Sequence, residues 1–363
     1  MKQLRSSKPV AYWLLVGVAM IIVQIILGGI TRLTGSGLSI TEWDVITGTI
    51  PPVNEQQWIG EFQKYQQTPQ YRLLNADFTL NDFKAIYFWE WLHRLWGRLI
   101  GIVFIIPFVI FLLQRRFRPQ MIKPLLILFL LGALQGAVGW IMVVSGLTGD
   151  AVYVRPTRLA LHFILALLLL AYTFWFALQL LVKETNPIAA PSLKKFTVLI
   201  ITILFVQFFF GALVAGHKAA PAAPTWPLVN DSFIPSYVFR SQQGWRSIIE
   251  NPVTIQTIHR LIAYLLVLLI FLWTVKAFKQ TRPILFKKVR LLPAVFVILQ
   301  LLLGIFTVLS SVQIRANKWN NFEWLALFHQ LTALSLLLSL VLALFILRKK
   351  NLKRLPDLNP HVI

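Results

Sequence analysis

Glu90-Trp91-Leu92-His93-Arg94-Leu95 and, 166 residues further on, Gln256-Thr257-Ile258-His259-Arg260-Leu261 are two versions of one element, each lying at the start of a long apolar run. Around them the chain repeats. Gln24 with Gly28, Gln135 with Gly139, Gln207 with Gly211 and Gln300 with Gly304 spell Q-x-x-x-G four times, in alternation with His93, His162, His259 and His329. Gln135 and Gln300 are 165 residues apart, His162 and His329 167. The near-constant offset argues for two homologous halves, 1–190 and 191–363. Gln24 and Gln207 are 183 apart, an excess that falls in a longer first outer segment. An even number of spans in each half makes the repeat parallel.

The apolar runs are long enough to cross a bilayer, which takes about 20 residues in a helix. They read as Val10–Ile30, Trp89–Leu113, Pro124–Gly146 and Leu159–Val182, then Phe196–Ala215, Thr254–Phe278, Leu291–Ser311 and Phe322–Leu347. The predicted fold is therefore an all-α integral membrane protein, eight transmembrane helices arranged as two pseudo-symmetric four-helix bundles. A chain that is 57% hydrophobic, with mean hydropathy +0.69, has the bilayer as its natural solvent.

The formal charge of +22 suggests nucleic acid until the charges are placed. Lys2, Arg5 and Lys8 precede the first run; Arg115, Arg116, Arg118 and Lys123 follow the second; Lys183, Lys194 and Lys195 follow the fourth. Lys276, Lys279, Arg282, Lys287, Lys288 and Arg290 follow the sixth, and the basic stretch from Arg348 to Arg354 follows the eighth. Every second connection is basic, as expected of a multi-pass protein with both termini in the cytoplasm, facing membrane lipid and no nucleic acid. The N-terminus has no small-residue cleavage site and no Arg/Ser-rich presequence, which favours a bacterial inner membrane. With no cysteine in the chain, thiolate-bound metals, iron–sulfur clusters, covalent heme attachment and disulfides are excluded.

Histidine is the good metal ligand that remains. One histidine in a membrane helix is as easily an interhelical hydrogen bond as a ligand. Four, one near the outer end of each even-numbered helix, share one depth, and two per half supply opposite axial positions for a planar macrocycle. Structural polar pairs and proton relays are the alternatives. The Gln/Gly pairs read as helix packing. Arg94 and Arg260 are placed to meet heme propionates, or simply to snorkel; Arg98 shares the ambiguity. Glu90 lies one helical turn before His93, where the second half has Gln256, so the N-terminal half is the better place for a reactive site. Its alternative is an ion pair with Arg94. The outward segment 31–85 reads as a lid over that site, its glycines at 35 and 37 giving turns and Trp43, Trp58 and Tyr65 seating at the interface. Ala219–Asn251 is its counterpart. His217 and His361 have no partner in the repeat and are unassigned.

Gly28-Gly-Ile-Thr-Arg-Leu-Thr-Gly-Ser-Gly-Leu-Ser39, the Glu90-x-x-His93-Arg94 element and the paired later histidines together resemble heme A synthase, over nearly the whole chain. The form it is similar to is the mitochondrial and proteobacterial one, with Pro51-Pro52 and a Tyr/Trp-rich first loop; other members carry a cysteine pair there, and this chain has none. The resemblance implies oxidation of a ring methyl of heme O to a formyl group, by two hydroxylations and loss of water, giving heme A for cytochrome oxidase. His93 and His162 would ligate the heme O substrate, Glu90 would assist, and His259 and His329 would ligate a bound heme B. Implied partners are heme O synthase, cytochrome oxidase assembly proteins and an electron acceptor; a homo-oligomer is compatible with this reading. The rival is a diheme b-type electron-transfer protein acting on quinone, with a parallel-repeat transporter and a catalytically silent assembly factor behind it.

Overall fold

In the computed structural model, residues 8–43, 47–182, 190–236, 238, 244–280, 284–314 and 319–348 are described. Lys2, Arg5, Lys183, Arg282, the tail beyond Arg348 and His361 lie outside them. Eight long apolar helices carry the chain: α1 Lys8–Leu33, α2 Leu80–Leu113, α3 Pro119–Val144, α4 Pro156–Leu181, α5 Pro191–Gly216, α6 Pro252–Phe278, α7 Leu292–Ser310 and α8 Asn321–Ile346. Among the described residues the only other pairing is an isolated bridge between Val229 and Ser232. The protein is a multi-pass membrane protein.

The sequence sets the helix ends. Proline opens α3, α4, α5 and α6, where its missing N–H costs nothing. Thr79 with Asp82 and Asn320 with Glu323 form capping boxes at α2 and α8. The first of these extends α2 well outside the apolar run. His93 consequently lies roughly three and a half turns into α2, not in its first turn or two, because Phe83, Ile86 and Tyr87 bury those extra turns under the outer segment.

That segment is folded. Helices Glu55–Gln66 and Pro69–Leu74 close an aromatic core in which Tyr65 and Phe83 are fully buried and Trp58 packs edge-on to Tyr87. Tyr65 and Trp58 therefore serve this cap and not the membrane interface; Trp43, half exposed, lies over the Arg94 guanidinium. Of the two loop glycines, Gly35 alone adopts a left-handed conformation (φ +69°).

α1 packs on α2 and α4, and α3 on α4; in the same order α5 packs on α6 and α8, and α7 on α8. α4 against α5, and α8 against α1 and α4, join the two sets. Leu167, Leu170, Ile200, Ile270, Leu337 and Leu340 are buried at this junction, with Trp273 donating to the Thr197 hydroxyl at 2.8 Å. In hydrocarbon such tight packing and buried hydrogen bonds hold helices together.

Candidate functional site: two histidine pairs in one cavity

The four histidines and four Q-x-x-x-G elements form four copies of one arrangement. Each glutamine sits one turn before a glycine on the odd-numbered helix, and both residues face the imidazole of the neighbouring even-numbered helix. The Gln24 amide lies 3.4 Å from His93 Nε2 and donates to the His93 carbonyl at 3.1 Å. Gln135 approaches His162 Nδ1 and Nε2 at 3.2 and 3.3 Å; Gln207 lies 3.4 Å from His259 Nε2 and Gln300 3.1 Å from His329 Nε2. A Cβ on Gly28, Gly139, Gly211 or Gly304 would stand 3.1, 2.8, 3.1 or 3.0 Å from the Cε1 of the respective histidine. The glycine is the floor of a histidine cradle, which goes beyond the helix packing expected from sequence.

The cradles are incomplete by themselves. Among the described residues, Oε1 of all four glutamines and Nδ1 of His93, His259 and His329 are buried without a hydrogen-bond partner. A metal-bound imidazole coordinates through one nitrogen and gives its other N–H to a neighbouring acceptor, so an orphan acceptor beside an orphan ring nitrogen fits a ligand histidine. The rings of His259 and His329 are 6.5 Å apart between centroids and inclined at 73°. With metal–nitrogen bonds of about 2 Å on either side, two imidazoles facing each other across one ion span roughly this distance. Among the described residues no cluster of three or more His, Asp or Glu could encase an ion. Two axial imidazoles therefore suit a metal whose remaining ligands come from a planar macrocycle. All four histidines line one internal cavity of about 980 Å³, at the upper end of small-molecule sites, which run to about 1,000 Å³.

At the outer rim the two pairs are again built alike, with one substitution of chemistry. Glu90, 3% exposed, accepts from Ser39 Oγ at 2.7 Å, Ile40 N at 2.9 Å and Arg94 Nη2 at 2.6 Å. Arg94 also donates to the carbonyls of Ile40 (3.0 Å) and Glu42 (2.9 Å). In the second half Gln256, also 3% exposed, donates to the carbonyls of Ala219 and Ala220 at 3.0 and 3.1 Å and accepts from Arg260 Nη2 at 2.7 Å. Arg260 in turn reaches Ala223 O and Leu228 O at 2.7 and 3.1 Å. Each pair is a clamp that ties an outer loop to the helix bearing the histidine. The Glu/Gln difference follows the loop: residues 39 and 40 offer donors and need an acceptor, whereas residues 219 and 220 offer carbonyls and need a donor.

Arg32 had no role in the sequence reading. It lines the cavity beside Glu323 and makes no hydrogen bond or ion pair with a described residue. Gln330, next to His329, donates to Ile25 O at 2.8 Å and fills the space above Gly29, so it links the two sets of helices. His217 Nε2 donates to the Ile249 carbonyl at 2.8 Å, a structural contact.

The cradle makes a local prediction. Gly304→Val removes the space for His329 and should lower heme content per chain at the second pair, while Gly139→Ala, with the tightest approach, should disturb the first. Losing the contact that orients a ligand imidazole typically costs about 10–100-fold in affinity, measurable as the heme-to-protein ratio.

Eight membrane helices, with paired imidazoles cradled inside, define an integral membrane heme protein. The chain matches the family model described as cytochrome oxidase assembly protein (COX15-CtaA) over residues 11–347, and it belongs to that family. It is 42% identical to the heme A synthase of Bradyrhizobium diazoefficiens over 333 residues, 91% of this chain and 89% of that one. It is 38% identical to the heme A synthase of Flavobacterium psychrophilum over 338 residues, 92% and 96% of the two chains, and 44% identical to that of Parvibaculum lavamentivorans over 71% and 75%.

Proposed function

We propose that this protein is a heme A synthase, an oxidoreductase that converts the ring methyl of heme O to the formyl group of heme A. The observation that carries this reading is the fourfold imidazole cradle, each copy holding a ligand-type histidine whose polar surroundings are completed by a bound heme. Family membership and the names of the relatives supply the reaction. When bound, the heme iron supplies the redox chemistry, and an external acceptor takes the electrons.

The residues divide the work by half. In residues 1–190, His93 and His162 grip heme O, and Glu90, one turn outside His93, serves as proton acceptor for methyl oxidation. In residues 191–363, His259 and His329 hold a resident heme B, and Gln256, lacking a carboxylate, clamps its loop only. Arg94 and Arg260, fixed by loop carbonyls, give each site a positive outer edge for propionates, and Arg32, which lines the same cavity, adds a third cation. The cap over α2 keeps water from the first site. Basic connections at alternate helix ends support a topology with both termini in the cytoplasm of a bacterial inner membrane. Cytochrome oxidase assembly proteins and heme O synthase are the partners this role requires.

The test is to purify the protein, extract its pigment with acid solvent and separate the hemes by chromatography. Heme B together with heme O, a hydroxylated heme or heme A is the expected result. Heme B alone, at two per chain, would instead establish the quinone-linked diheme cytochrome and end the synthase reading.

A further inference from the structure

The two histidine pairs are cradled alike, but the walls around them are not. In the second half α6 packs along α7; the corresponding helices of the first half, α2 and α3, make no comparable packing. The sequence of the gap explains why. Applying the repeat offsets of 166 and 165, Gly97, Gly101, Gly132 and Gly136 of α2 and α3 correspond to Ala263, Val267, Val297 and Leu301 of α6 and α7. All eight positions line the cavity. At three of these four positions the second half carries a branched side chain, Val267, Val297 or Leu301, where the first half has glycine.

The gap leads somewhere. A Cβ on Gly101, Gly132 or Gly136 would meet nothing within 4 Å, and Gly132 and Gly136 are exposed, whereas Val297 is 6% exposed. Phe129 and Ile105 line the cavity and are also exposed on the apolar flank of the bundle, so cavity and flank are continuous there. Inside, the same gap meets the unpartnered Nδ1 of His93 and Oε1 of Gln135. The Glu90–Arg94 clamp fastens residues 40–42 at the other end of the same site.

We infer that the glycine-lined gap between α2 and α3 is a lateral portal through which a heme bearing a long apolar chain passes between the bilayer and the His93/His162 site, and in which that chain lodges. The inference rests on the reading of that pair as the substrate site. It also accounts for the division of roles: Val267, Val297 and Leu301 close the second site, which keeps its macrocycle, while their glycine counterparts leave the first open to exchange. An apolar substituent in the gap is solvated by hydrocarbon and helix surface alike, so the portal admits a tailed heme without a polar contact to the tail.

The experiment fills the portal with the side chains of the other half. A full-length Gly101→Val/Gly132→Val/Gly136→Leu variant meets no protein atom at the new Cβ positions and replaces glycine within helices, so it should fold and keep its resident heme. Wild type and variant, loaded with heme B at the second pair, are mixed with phosphatidylcholine vesicles carrying heme O or tail-less heme B. Uptake at the first pair is read as the absorbance change that His93→Ala abolishes. We expect heme O uptake by the variant to fall about tenfold or more, the penalty of overfilling a fitted space, with tail-less heme B affected less. Unchanged heme O uptake overturns the portal; an equal loss for both hemes overturns the lodging of the chain in the gap, since a blocked passage stops the macrocycle whether or not it is tailed. A change in oligomeric state would likewise overturn the portal, since the glycines would then be a packing surface between copies. If wild type itself shows no His93-dependent uptake, the substrate-site reading falls and the portal with it. Conversely, Val267→Gly/Val297→Gly/Leu301→Gly should make the resident heme exchangeable with the vesicles; full retention would contradict the division of roles.

Discussion

Replacing His259 or His329 by alanine is expected to give a protein that carries no heme at its second pair, whereas His93→Ala and His162→Ala keep that heme and lose product completely. The physical basis is the mutual dependence of each pair: the imidazoles of His259 and His329 face each other at 6.5 Å, so removing one leaves the other without a partner across the metal and leaves a buried, unpaired glutamine behind it. The heme-to-protein ratio by pyridine hemochrome, together with chromatography of the extracted pigment, separates the cases. Retention of heme B in His259→Ala at the wild-type ratio, with loss in His93→Ala, would reverse the assignment of the pairs.

The second large effect is an inverted pair of exchanges at the clamps. Gln256→Glu should be severely destabilising, because a carboxylate would face the carbonyls of Ala219 and Ala220 after losing both donated hydrogen bonds. Burying a charge against acceptors costs on the order of 3–5 kcal/mol even with Arg260 retained. Glu90→Gln should cost less, about 1–3 kcal/mol, since the amide oxygen still accepts from Arg94 and the Ser39 hydroxyl can turn to accept from the new NH2, which leaves the Ile40 N–H without its acceptor. Thermal unfolding in detergent, followed by tryptophan fluorescence, should rank the two in that order. Activity separates the roles of Glu90: loss of a proton acceptor slows a reaction by about 100-fold or more, so Glu90→Gln should be folded, loaded with heme B and nearly inactive. Product formation at the wild-type rate would leave Glu90 as a clamp alone.

Much of this molecule is written in one dimension. Membrane helices are legible because each must satisfy its own backbone and present about 20 apolar residues to lipid, a requirement met locally. Prolines and capping boxes then mark the ends. The outer segment was harder to read: its aromatic residues suggested an interfacial belt, but Tyr65, Phe83 and Tyr87 come together only when a helix from the loop folds back on the first turns of α2. Periodicity does not reveal such a return.

The sequence by itself determined the eight spans, the recurring Q-x-x-x-G elements and the four histidines that alternate with them, since spacing, hydropathy and residue chemistry are properties of the chain alone. Only the tertiary structure decided what the repeated glutamines and glycines do, why one clamp needs a carboxylate and the other an amide, and which pair of helices stands apart. Those outcomes depend on distances between residues far apart in the chain: Gly28 under His93, Ser39 and Ile40 against Glu90, and open space above Gly132 and Gly136. A glycine reads the same in sequence whether a ring or empty space lies above it.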